Sequence, residues 1–377
     1  MIGTNPHFPD SPTHPFNNYY HKKRVLVTGH TGFKGSWLSL WLSRLGAKVA
    51  GYSAYLPSDP CNFDAIGLKE LVDHYEGDVR EFEQLKYVFD SFKPEIVFHL
   101  AAQPIVRKSF DDPKLTFDTN VGGTINVLEC IRVSDCVKAA VLITSDKCYR
   151  NIEWLWGYRE NDPLGGDDPY SASKGCAEMA INSYCQSFFK NERPVNIAST
   201  RAGNVIGGGD WAEDRIVPDC VRAWSQGQEV SVRSPNATRP WQHVLEPVGG
   251  YLWLGALLGE GEVVSGESFN FGPKPDVIQP VSVLISTFQK YWESAKWTKK
   301  CNDSNKKESG LLKLCCDKAL SLLNWQAILS FEETMEMTAL WYKTFYDGSR
   351  KNMLEFTINQ IEAYCELAKQ RDAMWTG

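Results

Sequence analysis

No stretch of this sequence approaches the roughly 20 apolar residues that a membrane-spanning helix needs, so a bilayer-crossing segment is not expected. The opening, Met1 to His21, lacks the apolar core of a secretory signal and is instead rich in Pro, Asn and His. Residues 1–20 read as a flexible arm, with a subunit-contact arm as the alternative. Positive charge is not in excess: 40 Lys and Arg stand against 46 Asp and Glu, a net charge of −6. That excludes the basic footprint of a nucleic-acid or anionic-lipid binder and leaves room for one local phosphate site. Histidine is scarce, 7 in all, and dispersed, so no metal site is argued. The 11 cysteines include no Cys-x-x-Cys pair, and only Cys315 and Cys316 are adjacent. An odd, scattered set is neither a disulfide framework nor a zinc site. Free thiols in a reducing cytoplasm are the expectation.

What is present is ordinary globular material. The 377 residues are 43% hydrophobic and 23% charged, enough for a sizeable core and for two domains, or one domain with a lobe. Apolar runs at Arg24–Thr28, Lys48–Tyr52, Glu95–Leu100, Lys138–Thr144 and Pro194–Thr200 predict strands. Helical spacing predicts helices over Lys34–Leu45, Lys114–Ile131 and Tyr170–Phe188. Strands alternating with helices imply an α/β fold, a Rossmann-type doubly wound parallel sheet. Such a sheet binds ligands at the carboxyl ends of its strands. After Arg201 the pattern loosens, with glycine-rich Gly207–Asp210, a polar and aromatic loop at Thr238–Val244 and a polar connection at Asn302–Ser309. Residues 21–203 are therefore expected to be mainly dinucleotide-binding. Residues 204–377 are expected to be mainly a smaller α/β substrate lobe, with some segments interleaved.

The first chemical motif is Thr28-Gly29-His30-Thr31-Gly32-Phe33-Lys34-Gly35, lying between a strand and a helix. A chain that turns sharply there and opens a helix can hold a pyrophosphate against the helix N-terminus. Its Gly-x-x-Gly-x-x-Gly spacing resembles the fingerprint of the extended short-chain dehydrogenase/reductases. That resemblance implies NAD as cofactor. It also implies that Gly29, Thr31, Gly32, Phe33, Lys34, Asp78, Val79, Leu100, Ala101, Ala102, Gln103 and Thr144 lie on the cofactor side, and that Asn120 is either structural or on the cofactor side. Dinucleotide folds usually end the second strand with an acid for the ribose. Here the sequence reads Gly51-Tyr52-Ser53-Ala54-Tyr55, so Ser53 is the candidate and the nearest acid is Asp59.

Tyr170 and Lys174 form Tyr-x-x-x-Lys, which places both side chains on one helical face. A phenol of pKa about 10 is a poor base at neutral pH. A nearby ammonium and a bound nicotinamide cation favour the phenolate. Upstream stands Thr144-Ser145-Asp146-Lys147. The resemblance assigns Ser145 to orienting the substrate hydroxyl. Epimerases and plain reductases keep small or apolar residues at the next two positions. Asp146-Lys147 is similar to the nucleotide-sugar 4,6-dehydratases that act on CDP-glucose.

An elimination needs an acid for the leaving C6 hydroxyl and a base for the C5 proton; Asp146 and Lys147 are the candidates. Longer strings extend the likeness: Trp154–Glu160, Asp168–Gly175, Arg201–Trp211 and Arg239–Val244. The resemblance implies CDP-glucose as substrate, deoxysugar biosynthesis of the lipopolysaccharide O-antigen type, and a cytoplasmic homodimer or homotetramer. It places Ser109, Asn204, Arg239 and His243 on the substrate side, with Arg239 on the diphosphate and His243 packing or hydrogen-bonding rather than catalysing. Trp154 and Trp156 either line the sugar pocket or pack a flap. Three alternatives stay open: a C4 epimerase, a dehydratase for another nucleotide, and a non-catalytic NAD-binding protein.

Overall fold

The computed structural model describes residues 15–190, 195–261, 264–274, 277–292, 295–299, 311–348 and 352–377. Seven strands form one sheet: β1 (Arg24–Thr28), β2 (Lys48–Ser53), β3 (Asp73–Glu76), β4 (Ile96–His99), β5 (Ala139–Ile143), β6 (Asn196–Arg201) and β7 (Ser268–Asn270). Every pairing is parallel, in the spatial order β3-β2-β1-β4-β5-β6-β7. The order reverses between β1 and β4, and a crevice opens at their carboxyl ends.

The strands are nearly continuous apolar runs because both faces are covered. Val25, Val27, Ile96, Phe98 and Val141 join one core; Leu26, Val97, Ala140 and Leu142 join the other. This alternation is the period of two that a strand imposes on its side chains. Helices α1 (Phe33–Arg44), α2 (Phe82–Phe92), α3 (Gly123–Val133) and α4 (Pro169–Tyr184) belong to the first half of the chain. Trp37 and Trp41 of α1 enter the first core, whereas Leu85 of α2, Val127 of α3 and Ile181 of α4 enter the second. The cap of α4 was legible: Asp168 accepts from Ser171 N at 2.9 Å, with Pro169 opening the helix.

The five expected strands are present; Pro194 lies outside the described residues, as does the Asn302–Ser309 connection. The helix expected over Lys114–Ile131 is interrupted by a π turn at Asp118–Gly122, which contains Asn120. The boundary at residue 203 does not separate two bodies. Strand β7 completes the sheet from the second half, and α5 (Leu245–Glu260) lies against β5 and β6. Helices α6 (Phe331–Tyr346) and α7 (Met353–Gln370) also join the first core. What remains of the lobe is three two-stranded sheets and short helices, among them Ile216–Ser225 and Val281–Gln289.

Residues 1–14 of the expected arm lie outside the described residues, but Pro15–Tyr20 is packed. Phe16 stacks on Trp375 at 5.1 Å, and Tyr20 Oη donates to the Leu252 carbonyl at 2.5 Å. Burying two aromatic rings outweighs the chain entropy that a free arm would keep. Among the described residues, no helix is long and apolar enough to cross a membrane.

Candidate active site

A cleft of about 1710 Å³ follows the carboxyl ends of β1, β2, β4 and β5 and runs on into the lobe. At its first end the chain turns at Gly29, where φ is +76°. A Cβ at Gly29 would lie 2.7 Å from Ala101 N, and one at Gly35 would lie 2.1 Å from the Gly29 carbonyl. Only glycine lets strand, turn and helix approach so closely. Gly32, at the N-cap of α1, adds no capping side chain, so the first-turn N–H groups remain for an anion. The residues fit a dinucleotide: Gly29, Thr31, Gly32, Phe33, Lys34, Asp78, Val79, Leu100, Ala101, Ala102, Gln103 and Thr144 all line the cleft.

Ser53 ends β2 and lines the cleft, while Asp59 is exposed outside it. The Ser53 hydroxyl meets His30 Nδ1 at 3.1 Å and accepts from Thr31 N at 3.4 Å. His30 Nε2 in turn meets His74 Nδ1 at 2.7 Å. Burial, then His74, pulls the His30 imidazole down to about 3, so that imidazole is neutral at physiological pH. Asn120 does not line the cleft. It is buried, accepts from Gln103 N at 2.8 Å and donates to Ser173 Oγ at 2.9 Å. It pins the segment after β4 to α4.

At the other end, Ser145, Asp146, Lys147, Tyr170 and Lys174 converge on the cleft. Ser145 caps a short 3-10 turn over Asp146–Cys148: its Oγ donates to Asp146 Oδ1 at 2.9 Å and accepts from Lys147 N at 3.2 Å. Asp146 is 5% exposed, and its place depends on Gly203. A Cβ at Gly203 would lie 1.9 Å from Asp146 Oδ2. Burial pushes the Tyr170 phenol up to about 12, with Ser145 and Arg215 working against the rise. Burial pulls the Lys174 ammonium down to about 8, opposed by Glu178.

Two charged features were not anticipated. Lys34, expected only beside the cofactor, is also drawn down to about 8 by burial and then by Arg215 and Lys174, while Asp146 and Asp210 oppose this. Arg215 lines the cleft and pairs with Asp210 at 2.7 Å. The string ending in Asp210 was visible in the sequence, but no spacing rule links it to an arginine five residues on.

Of the expected substrate contacts, Asn204 and Arg239 line the cleft; Ser109 and His243 do not. Ser109 Oγ accepts from Tyr170 N at 3.2 Å, which satisfies an orphan donor of the first turn of α4. His243 is fully buried; its Nδ1 accepts from Leu245 N at 3.3 Å, and burial pulls its imidazole down to about 3. Trp154 and Trp156 stay off the cleft wall and pack edge to face at 5.9 Å, with Trp154 against Tyr158 at 5.4 Å. They pack a flap.

Comparison with known proteins agrees with this geometry. The family model for GDP-mannose 4,6 dehydratase matches residues 26–338. The chain belongs to that family. Its members are nucleotide-sugar 4,6-dehydratases, which are hydro-lyases. A CDP-glucose 4,6-dehydratase of Salmonella typhimurium is 45% identical over 352 residues, covering 92% of this chain and 97% of that protein. A dTDP-D-glucose 4,6-dehydratase of Dictyostelium discoideum is 29% identical, over 66% of this chain and 58% of its own length. Among solved structures, an epimerase from Methanothermobacter thermautotrophicus superposes with a TM-score of 0.78 at 26% identity, over 90% of this chain and 99% of that one. A dTDP-glucose 4,6-dehydratase of Bacillus anthracis in complex with NAD gives 0.69 at 20% identity, over 86% and 98% of the two chains.

Proposed function

We propose that this protein is a CDP-D-glucose 4,6-dehydratase, which converts CDP-D-glucose to CDP-4-keto-6-deoxy-D-glucose and water. One observation carries the reaction type: a single cleft end holds an oxidation set, Ser145, Tyr170 and Lys174, beside an elimination pair, Asp146 and Lys147. An epimerase has no use for that pair. The cytidine rests on the Salmonella relative, which spans nearly the whole chain.

NAD, held by Gly29, Gly32, Lys34 and the other residues at the first end of the cleft, would supply the hydride acceptor for C4 and the hydride donor for C6. The chain supplies the rest. Ser145 orients the C4 hydroxyl, and Tyr170 takes its proton, with the charge of Lys174 favouring the phenolate. The C4 ketone acidifies C5. Lys147 removes that proton while Asp146 protonates the departing C6 hydroxyl, so water leaves. As the hydride arrives at C6 the Lys147 ammonium returns a proton to C5. The proton taken by Tyr170 makes good through solvent the one Asp146 gave, and no net oxidation remains. Arg239 suits diphosphate oxygens through its planar fork, and Asn204 lies beside it on the substrate side.

The test is product analysis after incubation with catalytic NAD and a panel of glucose nucleotides. CDP-glucose should yield the 4-keto-6-deoxy sugar. Stoichiometric reduced cofactor, a C4-epimerised sugar, or preference for another base would replace this reading.

Cofactor grip offers a second expected outcome. Ser53 stands where a carboxylate would make a charge-assisted hydrogen bond, a contact of about 1.5–3 kcal/mol. Purified protein should therefore lose NAD on dialysis and recover full turnover when NAD is added back. Stoichiometric cofactor that survives dialysis would contradict the assignment of Ser53.

The cellular setting belongs to the same proposal: a cytoplasmic homodimer or homotetramer serving deoxysugar biosynthesis of the O-antigen type. The ten described cysteines, all free thiols, support a reducing compartment.

A further inference from the structure

We propose that Glu178 is a positioning residue for this reaction, locking the catalytic face of α4 to the strand ends that carry Ser145 and Asp146 and presenting an anion to the Lys174 ammonium one helical turn away. It follows Lys174 by four positions and Tyr170 by eight, so the three side chains stack along one helical face. All three are buried.

Three strand ends hold the Glu178 carboxylate. The Thr144 hydroxyl donates from the end of β5. The Ser199 hydroxyl and the Arg201 guanidinium each donate at 2.8 Å from β6, and the Ser268 hydroxyl donates at 3.3 Å from β7. Arg201 is itself fixed, donating to Tyr149 Oη at 2.7 Å and to the Glu160 carbonyl at 3.0 Å. Thr144 directly precedes Ser145, and Tyr149 closes the turn that carries Asp146. The network therefore grips both ends of the catalytic turn.

A buried ion pair is weak ground for stability, because desolvation offsets the attraction. Its distinctive effect here falls on the neighbouring amine. Among the described residues, the titratable groups within electrostatic range of Lys174 are Lys34 from α1, His99 from β4, Cys148 after β5 and Glu178 from α4, with Tyr170 one helical turn before it. His99 is held down at about 3 and the Cys148 thiol is pushed well up, both by burial, so both are neutral near pH 7. Burial raises the Glu178 carboxyl, and Arg201 more than reverses this, so Glu178 stays ionised. Its charge works against the burial that pulls Lys174 down to about 8. Activity should fall as pH rises through the Lys174 value, where the ammonium that favours the phenolate is lost. Removing the Glu178 charge moves that fall to lower pH.

The inference rests on the dehydratase reading, and turnover of CDP-glucose by the unaltered enzyme tests that reading separately in the same assay. The experiment is the pH profile of kcat/KM for Glu178→Gln, Glu178→Asp and the double variant Glu178→Gln with Arg201→Gln, with thermal melting to verify folding. The double variant leaves no unpaired buried charge if the single one fails to fold. Glu178→Gln should shift the alkaline limb down by about one unit, the double variant should do the same, and Glu178→Asp should restore the native position. A uniform loss of activity with an unmoved alkaline limb would overturn the proposal. So would an Asp variant shifted as far as the Gln variant.

Discussion

Tyr170→Phe should lower kcat with CDP-glucose by about 10²–10⁴-fold, the range for losing one acid–base group. The phenol is buried beside Ser145 at the carboxyl end of β5 and lines the cleft. Phenylalanine keeps the ring and its packing, so binding and melting temperature should change little. Because the missing step comes first, no intermediate should build up. Single-turnover mixtures quenched and reduced with borodeuteride should carry no deuterium at C4. Turnover within tenfold of the native enzyme would remove Tyr170 from the role of base.

Asp146→Asn and Lys147→Met should each cost about 10²–10⁴-fold in dehydration while leaving oxidation at C4 possible. The 4-keto-glucose nucleotide should accumulate and appear as deuterium at C4 after the same reduction. The two variants then part. Lys147→Met, which lacks the C5 base, should incorporate no solvent deuterium at C5 in deuterated water. Asp146→Asn retains the base and should exchange C5 without losing water. Near-normal turnover of Lys147→Met with deuterium at C5 would show that another group is the base. Gly203→Ala supplies a structural counterpart. Its new methyl would sit 1.9 Å from Asp146 Oδ2, so the carboxylate must move. The variant should show the Asp146→Asn pattern with Ser145, Tyr170 and Lys174 all intact.

Much of the fold was legible because its signals are local. The strand at Arg24–Thr28 and the helix that begins at Phe33 sit where apolar runs and glycine spacing place them. Several elements went unread, helix α2 and the short helices of the lobe among them, and three have a clear reason. Strand β7 is three residues long, too short for any periodicity to declare itself. Strand β3, Asp-His-Tyr-Glu, is polar because it lies at the sheet edge. Helix α5 is buried almost all round, so it has no polar face to mark its period. Among candidate site residues, Ser109, Asn120 and His243 do not line the cleft; the Ser109 hydroxyl, the Asn120 side-chain carbonyl and His243 Nδ1 each accept from a backbone N–H. A motif records which residue is present, not where its hydrogen bonds go.

The sequence by itself determined the dinucleotide turn, the Tyr170–Lys174 face and the Asp146–Lys147 pair, because each depends on spacings of a few residues that helix and turn geometry convert directly into position. Only the tertiary structure decided which charges surround them. Arg201 meets Glu178 at 2.8 Å across 23 positions, Lys34 feels the charge of Asp146 from a different element, and Gly203 makes room for a carboxylate 57 residues away. Such contacts arise from the stacking of parallel strands, which brings distant strand ends side by side. Once buried there, the charges acquire proton affinities that the isolated residue types do not possess.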